Sequence, residues 1–180
     1  MSTRLDLSRL TLMDALDLAS LIELEATKRY TEFADSLGSR GVDDAGAVFR
    51  SMAVNETKHC EEIAERRLAL FGDRPAKVRL DDIFDVEAPE VGDVRWNMSA
   101  FQAYRLALHS EQKAFAFYDE ALEHIDQPDV KALFEELREE EAEHVGMLVK
   151  IIANLPPSAE VELEDEDYDP NRPARDSFEV

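Results

Sequence analysis

Apolar residues recur three and four positions apart through four long stretches of this chain, the spacing of one helix face. The first stretch is expected from about Thr11 to Leu37. Thr11 with Asp14 suits its start, and Gly38 its stop. The second is expected over about Asp43 to Phe71, with Gly72 just beyond. The third begins near Ser99, where Ser99 and Gln102 have capping-box spacing, and ends near Ile125. The fourth begins near Asp126–Pro128, proline suiting a first turn, and ends before Pro156 and Pro157. All four exceed the usual helix length, as bundle helices do.

The connections between them are unequal. A few residues around Gly38–Gly41 join the first pair, and a few around Asp126 join the second. Each pair is therefore expected to fold as an antiparallel hairpin. Gly72 to Met98 is much longer and contains Pro75 and Pro89. Extended at about 3.3 Å per residue, it is long enough to run back along a helix of about 40 Å. The expected fold class is all-α, a four-helix bundle of two antiparallel hairpins joined by a long crossover. Ile83, Phe84 and Val86 are the side chains expected to pin the crossover to the bundle. Residues 1–154 form the expected domain. Residues 155–180 read as an acidic, disordered tail, because seven of the eleven residues from Ala159 to Asp169 are acidic.

Composition narrows the function. With 180 residues, the chain is long enough for one domain with a real core. Its net charge of −21 argues against nucleic acid and against anionic membranes, and suits a protein that attracts cations. No apolar run approaches the ~18 residues of a membrane span. Met1 to Asp6 lacks the apolar centre of a signal peptide, so the expected location is cytoplasmic. Cys60 is the single cysteine, which excludes a disulfide framework, a cysteine-built zinc site and a cysteine-ligated iron–sulfur cluster within one chain.

The candidate chemistry lies in a duplicated motif. The first hairpin carries Glu23, Tyr30 and then Glu56-Thr57-Lys58-His59. The second carries Glu111, Tyr118 and then Glu141-Ala142-Glu143-His144. The step between the two ligand-type glutamates is 33 residues in the first hairpin and 30 in the second. Other positions repeat at matching offsets. Ala26, Tyr30 and Glu32 follow Glu23 as Ala114, Tyr118 and Glu120 follow Glu111. Ala47, Phe49 and Met52 precede Glu56 as Ala132, Phe134 and Leu137 precede Glu141. Matching apolar, aromatic and acidic positions together indicate an internal duplication.

Glu and His three residues apart share one helix face at about 100° per residue. Tyr30 lies two turns beyond Glu23 on its face, and Tyr118 two turns beyond Glu111. Each glutamate is thus embedded in an apolar stripe aimed at the core. Four buried bare carboxylates would be very costly, and two divalent cations would balance their charge. The expected metal ligands are therefore Glu23, Glu56, His59, Glu111, Glu141 and His144. Glu56 and Glu141 are placed to bridge two metals, and Glu23 and Glu111 to be terminal. Tyr30 and Tyr118 are expected to hydrogen-bond the carboxylates around the metals. Oxygen and imidazole donors without thiolate suit iron or manganese better than zinc.

One Glu-x-x-His on an acidic helix is weak evidence for metal; two in a repeated frame, each with a partner glutamate, are much stronger. His109 and His124 fall off the Glu111 face and read as surface or interface residues. Cys60 reads as a small core residue. Met13, Met52, Met98 and Met147 read as packing residues.

Over about residues 11–154 the chain resembles the ferritin-like di-iron carboxylate superfamily, in its rubrerythrin and erythrin branch. The stretch Glu23-Leu24-Glu25-Ala26-Thr27-Lys28-Arg29-Tyr30 is similar to the first ligand helix of rubrerythrins, and the step to Glu56 and His59 also fits. The resemblance implies a di-iron centre on the six residues above, oxidised by oxygen or hydrogen peroxide. It differs from rubrerythrins in two respects. Those carry a rubredoxin domain with iron on four cysteines, so peroxidase turnover here implies an external electron donor. Peroxidase-type rubrerythrins also have an extra Glu where this chain has Ala114, whose repeat mate is Ala26.

The leading expectation is a di-iron oxidoreductase that oxidises iron(II). The alternatives are a non-catalytic iron-binding or storage protein, a di-manganese catalase and a di-iron hydroxylase acting on an organic substrate. Family analogy suggests a homodimer.

Overall fold

The computed structural model describes residues 6–38, 43–79, 86, 93–95 and 97–161. Four helices account for most of it: α1 (Leu12–Gly38), α2 (Asp43–Phe71), α3 (Ala100–Leu122) and α4 (Pro128–Ala153). There is no strand among the described residues. α1 packs chiefly on α2 and α3 on α4. Both pairs are antiparallel. Cys60 meets Ser20 and Arg67 meets Asp17 across the first pair, while Arg138 meets Asp119 and His144 meets Glu111 across the second.

Local chemistry sets the helix ends. Thr11 Oγ1 accepts from the Asp14 backbone N–H at 3.2 Å, and Asp14 Oδ2 accepts in return from Thr11 N–H at 3.2 Å. This reciprocal cap satisfies donors that a helix start leaves open. Ser99 and Gln102 form the capping box that opens α3. Pro128 opens α4, where its missing N–H costs no helical bond. It also disfavours helical backbone in the residue before it, and Gln127 is extended. α3 stops at Leu122, short of the expected Ile125. α2 ends on Gly72, whose φ of 61° lets its N–H reach Leu68 O at 2.8 Å.

The buried apolar side chains form two clusters rather than one. Leu16, Leu18 and Ile22 of α1 belong to the first, with Phe117 and Tyr118 of α3 and Leu133, Phe134 and Leu137 of α4. Ala26, Tyr30 and Phe33 of α1 belong to the second, with Phe49 and Met52 of α2, Ala103 and Ala107 of α3, and Leu148 of α4. Glu23 falls at the boundary on α1, between Ile22 and Ala26; Glu111 falls between Ala107 and Phe117 on α3, and Glu141 between Leu137 and Leu148 on α4. The duplication is visible in the same division. Tyr30 stacks on Phe49 in one cluster, with ring centroids 6.0 Å apart. Tyr118 meets Phe134 edge-on in the other, at 5.4 Å.

The start of the crossover is tied down by Arg67. Its Nε donates to Asp17 Oδ1 at 2.8 Å, Nη1 to Gly72 O at 2.6 Å, and Nη2 to the carbonyl of Arg74. Val78 and Val86 are buried in the first cluster. Val86 was expected there; Ile83 and Phe84 lie outside the described residues, as does the Gly38–Gly41 connection apart from Gly38's place at the end of α1.

Three expectations change. A short 3-10 turn at Leu7–Arg9, unpredicted, buries Leu7 and Leu10 against the first cluster. Met147 is 40% exposed and does not pack in the core, because it sits on the outer face of α4, beside the buried Leu148. The stretch expected to be a tail from residue 155 begins with a placed 3-10 turn at Pro157–Glu160, against α3. Proline at its start fixes the backbone for such a turn. The remaining residues, 162–180, lie outside the described part.

Two substitutions test this frame. A Cβ on Gly72 would meet nothing within 4 Å, so Gly72→Ala pays only for the left-handed backbone. It should lower stability by about 1 kcal/mol. Arg67→Ala strands the buried Asp17 carboxylate and should cost about 3 kcal/mol. Denaturant unfolding of the metal-free protein measures both, and the order Arg67→Ala worse than Gly72→Ala is the expected outcome.

Candidate metal centre

Every helix delivers a carboxylate to the boundary between the two apolar clusters. Glu23 comes from α1, Glu56 from α2, Glu111 from α3 and Glu141 from α4, and all are 0–2% exposed. His59 and His144, one turn after Glu56 and Glu141, keep side-chain exposures of 18% and 13%. The predicted residues are therefore brought together from opposite ends of the sequence.

Two triplets have the spacing of a metal site. Glu56, His59 and His144 each offer a ligand atom, and these atoms lie within 4.8 Å of one another. Glu111, Glu141 and His144 do the same. His144 is common to both. Its Nδ1 lies 3.0 Å from Glu111 Oε2 and 3.7 Å from Glu141 Oε2. His59 Nδ1 lies 3.7 Å from Glu56 Oε2. The two imidazoles stack nearly parallel, with centroids 4.8 Å apart and planes 4° from each other. Glu23 joins neither triplet, but it lies within the field of Glu141, Glu56 and Glu111.

The electrostatics are those of crowded acids away from water. Burial pushes the Glu23 carboxyl well above its ordinary range, and the charges of Glu141, Glu56 and Glu111 push it further. Burial, then the Glu111 charge, lifts Glu56 to about 8. Glu141 is raised as well, by burial first, with the neighbouring His144 opposing. Burial disfavours a charged His144, but its hydrogen bond to Glu111 and the adjacent charges of Glu111 and Glu141 outweigh it and raise this group to about 10. His59 moves the other way, lowered by burial and by His144.

The donor set fits a metal pair. Among the described residues, both Glu56 oxygens, Glu23 Oε2, Glu111 Oε1 and Glu141 Oε2 are buried and accept no hydrogen bond. Buried carboxylate oxygens are normally satisfied, so orphans converging from four helices mark a place for cations. Oxygen and nitrogen donors favour iron or manganese. The thiol of Cys60 points elsewhere, toward Ser20 O at 3.7 Å. His109 and His124 are exposed, off the site, as expected. Tyr30 and Tyr118 are fully buried within their aromatic pairs. Sequence reasoning missed the flank beside His59, where Glu62, Arg66, Glu136 and Glu140 gather. Their only signal was their helical offset from Glu56 and Glu141.

Comparisons with known proteins agree with this geometry. The rubrerythrin family model matches residues 14–91 and 104–177, one stretch on each hairpin. The chain belongs to the rubrerythrin family. A solved structure of an uncharacterised conserved protein from Magnetospirillum magnetotacticum MS-1 is similar, at 36% identity and a TM-score of 0.63. The match covers 82% of this chain and 97% of that one. A bacterioferritin from Rhodobacter capsulatus, described with a metal-free dinuclear site and haem iron, shares the fold at 21% identity and a TM-score of 0.53. That match covers 79% of this chain and 83% of that one. No curated protein matches. Fold and family together establish a ferritin-like four-helix bundle, and the carboxylate–histidine groups of this rubrerythrin-family chain support a dinuclear metal site.

The raised groups give a pH signature. Glu56 ionises near its ordinary 4.5 when unfolded but only at about 8 in the fold. Its contribution to stability is full below the lower value and is lost as pH rises through the higher one. His144, raised from 6.5 to about 10, works in the same direction. The metal-free protein should therefore melt at a lower temperature as pH rises from 4.5 toward 10. Metal competes with those protons, so its stabilising effect should be larger at about pH 8 than at about pH 5.5. Thermal scans with and without metal across this range check both signs.

Proposed function

We propose that this rubrerythrin-family protein holds two iron ions with Glu23, Glu56, His59, Glu111, Glu141 and His144, and oxidises iron(II) there with oxygen or hydrogen peroxide. The observation that supports it most strongly is the set of four sealed carboxylates with orphaned oxygens, one from each helix. In this reading Glu56 and Glu141 would hold both ions, and Glu23 and Glu111 would each hold one. The bound ions supply the electrons that the oxidant accepts. Manganese is the alternative occupant of the same donors.

The chain's own contribution is charge, geometry and exclusion of water. Metal-free, the carboxylates keep protons that loading must displace. The Tyr30–Phe49 and Tyr118–Phe134 pairs lie in the apolar clusters on the two sides of the carboxylate layer. In the same reading the two tyrosine hydroxyls orient the carboxylates. All six proposed ligands fall within residues 1–154, which we assign as the active unit. One cysteine cannot build a four-thiolate iron centre, so sustained peroxide turnover requires an external reductant.

Anaerobic iron(II) followed by oxygen or peroxide should give a diferric absorption band at two irons per chain. His59→Ala should lose the band and His109→Ala should keep it. Tyr118→Phe should retain both irons and alter only the rate. Tight iron binding with no oxidation by either oxidant would favour a storage role. Peroxide dismutation by the manganese form alone would favour a catalase.

A further inference from the structure

The six site residues are not equally hidden. The carboxylates are sealed, and His59 and His144 are the members that keep some exposure. Beside His59 a cavity of about 60 Å³ opens between α2 and α4. That is room for a few water-sized occupants. His59 lines it together with the apolar Ile63, Leu133 and Leu137, all buried. The rest of its lining is charged: Glu62 and Arg66 from α2, Glu136 and Glu140 from α4. Arg66 Nη1 bonds Glu136 Oε2 at 2.7 Å, joining the two helices beside the cavity. Beyond His59, one turn back along α2, stands Glu56, 1% exposed and with both oxygens accepting no hydrogen bond. The cavity thus brings the carboxylates of Glu62, Glu136 and Glu140 to an imidazole that stands one helical turn from an unsatisfied buried carboxylate.

The geometry points to this α2–α4 cavity as the route by which a divalent cation reaches the centre, with Glu62 and Glu140 as its carriers and the Arg66–Glu136 pair as its gate. The inference rests on the two-metal reading of the buried site. Three carboxylates along the lining draw a cation inward, and a channel of one charge sign raises its local concentration. Arg66 opposes that field and occupies Glu136. Its ion pair is half-exposed, and pairs of that kind are weakly held and open readily. The cation then meets His59, the cavity's one imidazole, before the sealed carboxylates.

Stopped-flow loading of the full-length metal-free protein with cobalt(II), without oxygen, tests the route. Cobalt(II) reports binding through its own absorption and needs no enzymatic turnover. Removing the opposing charge in Arg66→Gln should speed loading roughly threefold or more, and Glu62→Gln/Glu140→Gln should slow it roughly tenfold, within the range of electrostatic steering. Both variants should still reach two cobalt ions per chain, with unchanged helical circular dichroism. Either variant loading at the wild-type rate overturns the route while leaving the site intact. Unchanged cobalt loading with an altered rate of reaction with peroxide in the iron form would assign the cavity to the oxidant instead, and also overturns it. A wild-type protein that fails to bind two cobalt ions removes the underlying site reading, a different failure.

Discussion

Four carboxylates buried in one layer are the constraint around which this bundle is organised. An acid sealed from water is costly as an anion, and here each lies within the field of the others. A fold tolerates such a layer only by keeping protons on it or by placing cations in it. The metal-free chain does the first, with Glu23, Glu56 and Glu141 all shifted toward their neutral forms. The orphaned oxygens show what that solution leaves undone. Two divalent ions would satisfy both the charge and the open lone pairs.

The rest of the architecture supports that layer. Because the acids interrupt the apolar interior, the core divides into two clusters. Each contains one aromatic pair, Tyr30 with Phe49 and Tyr118 with Phe134, from matching positions of the two hairpins. The duplication therefore produces a centre with similar walls on both sides. Arg67 fastens the first hairpin to the residues that follow α2, through Asp17, Gly72 and Arg74.

Much of this was legible in the residues themselves. Capping chemistry at Thr11, Ser99 and Pro128 and the stop at Gly72 fixed the helix ends closely, because those signals act within one turn. The burial and convergence of the six candidate residues were legible, because a helical spacing of three and a repeated frame put them on inward faces. What periodicity leaves out is the partner across a gap. Arg66, Glu62, Glu136 and Glu140 look like any solvated charges along a helix, and only the packing of α2 beside α4 brings them to one cavity. Leu7 and Leu10 were hidden for a related reason, since a 3-10 turn is too short to show a period. Met147 was misjudged because a flexible apolar residue next to a core leucine carries no mark of which way it points. Tyr30 and Tyr118 lie on the inward faces that the repeat marked, while Phe49 and Phe134, visible as matching positions, were not legible as their ring partners.

The most direct measurement of the central claim is anomalous diffraction at the iron edge from crystals of the iron-loaded protein. The account predicts two peaks about 3.5–4 Å apart within the carboxylate layer, each bound by one of the two imidazoles. Glu56 and Glu141 would lie between them, with Glu23 and Glu111 on the outer sides. Iron found only at the acidic surface, with the buried carboxylates still unligated, would contradict it.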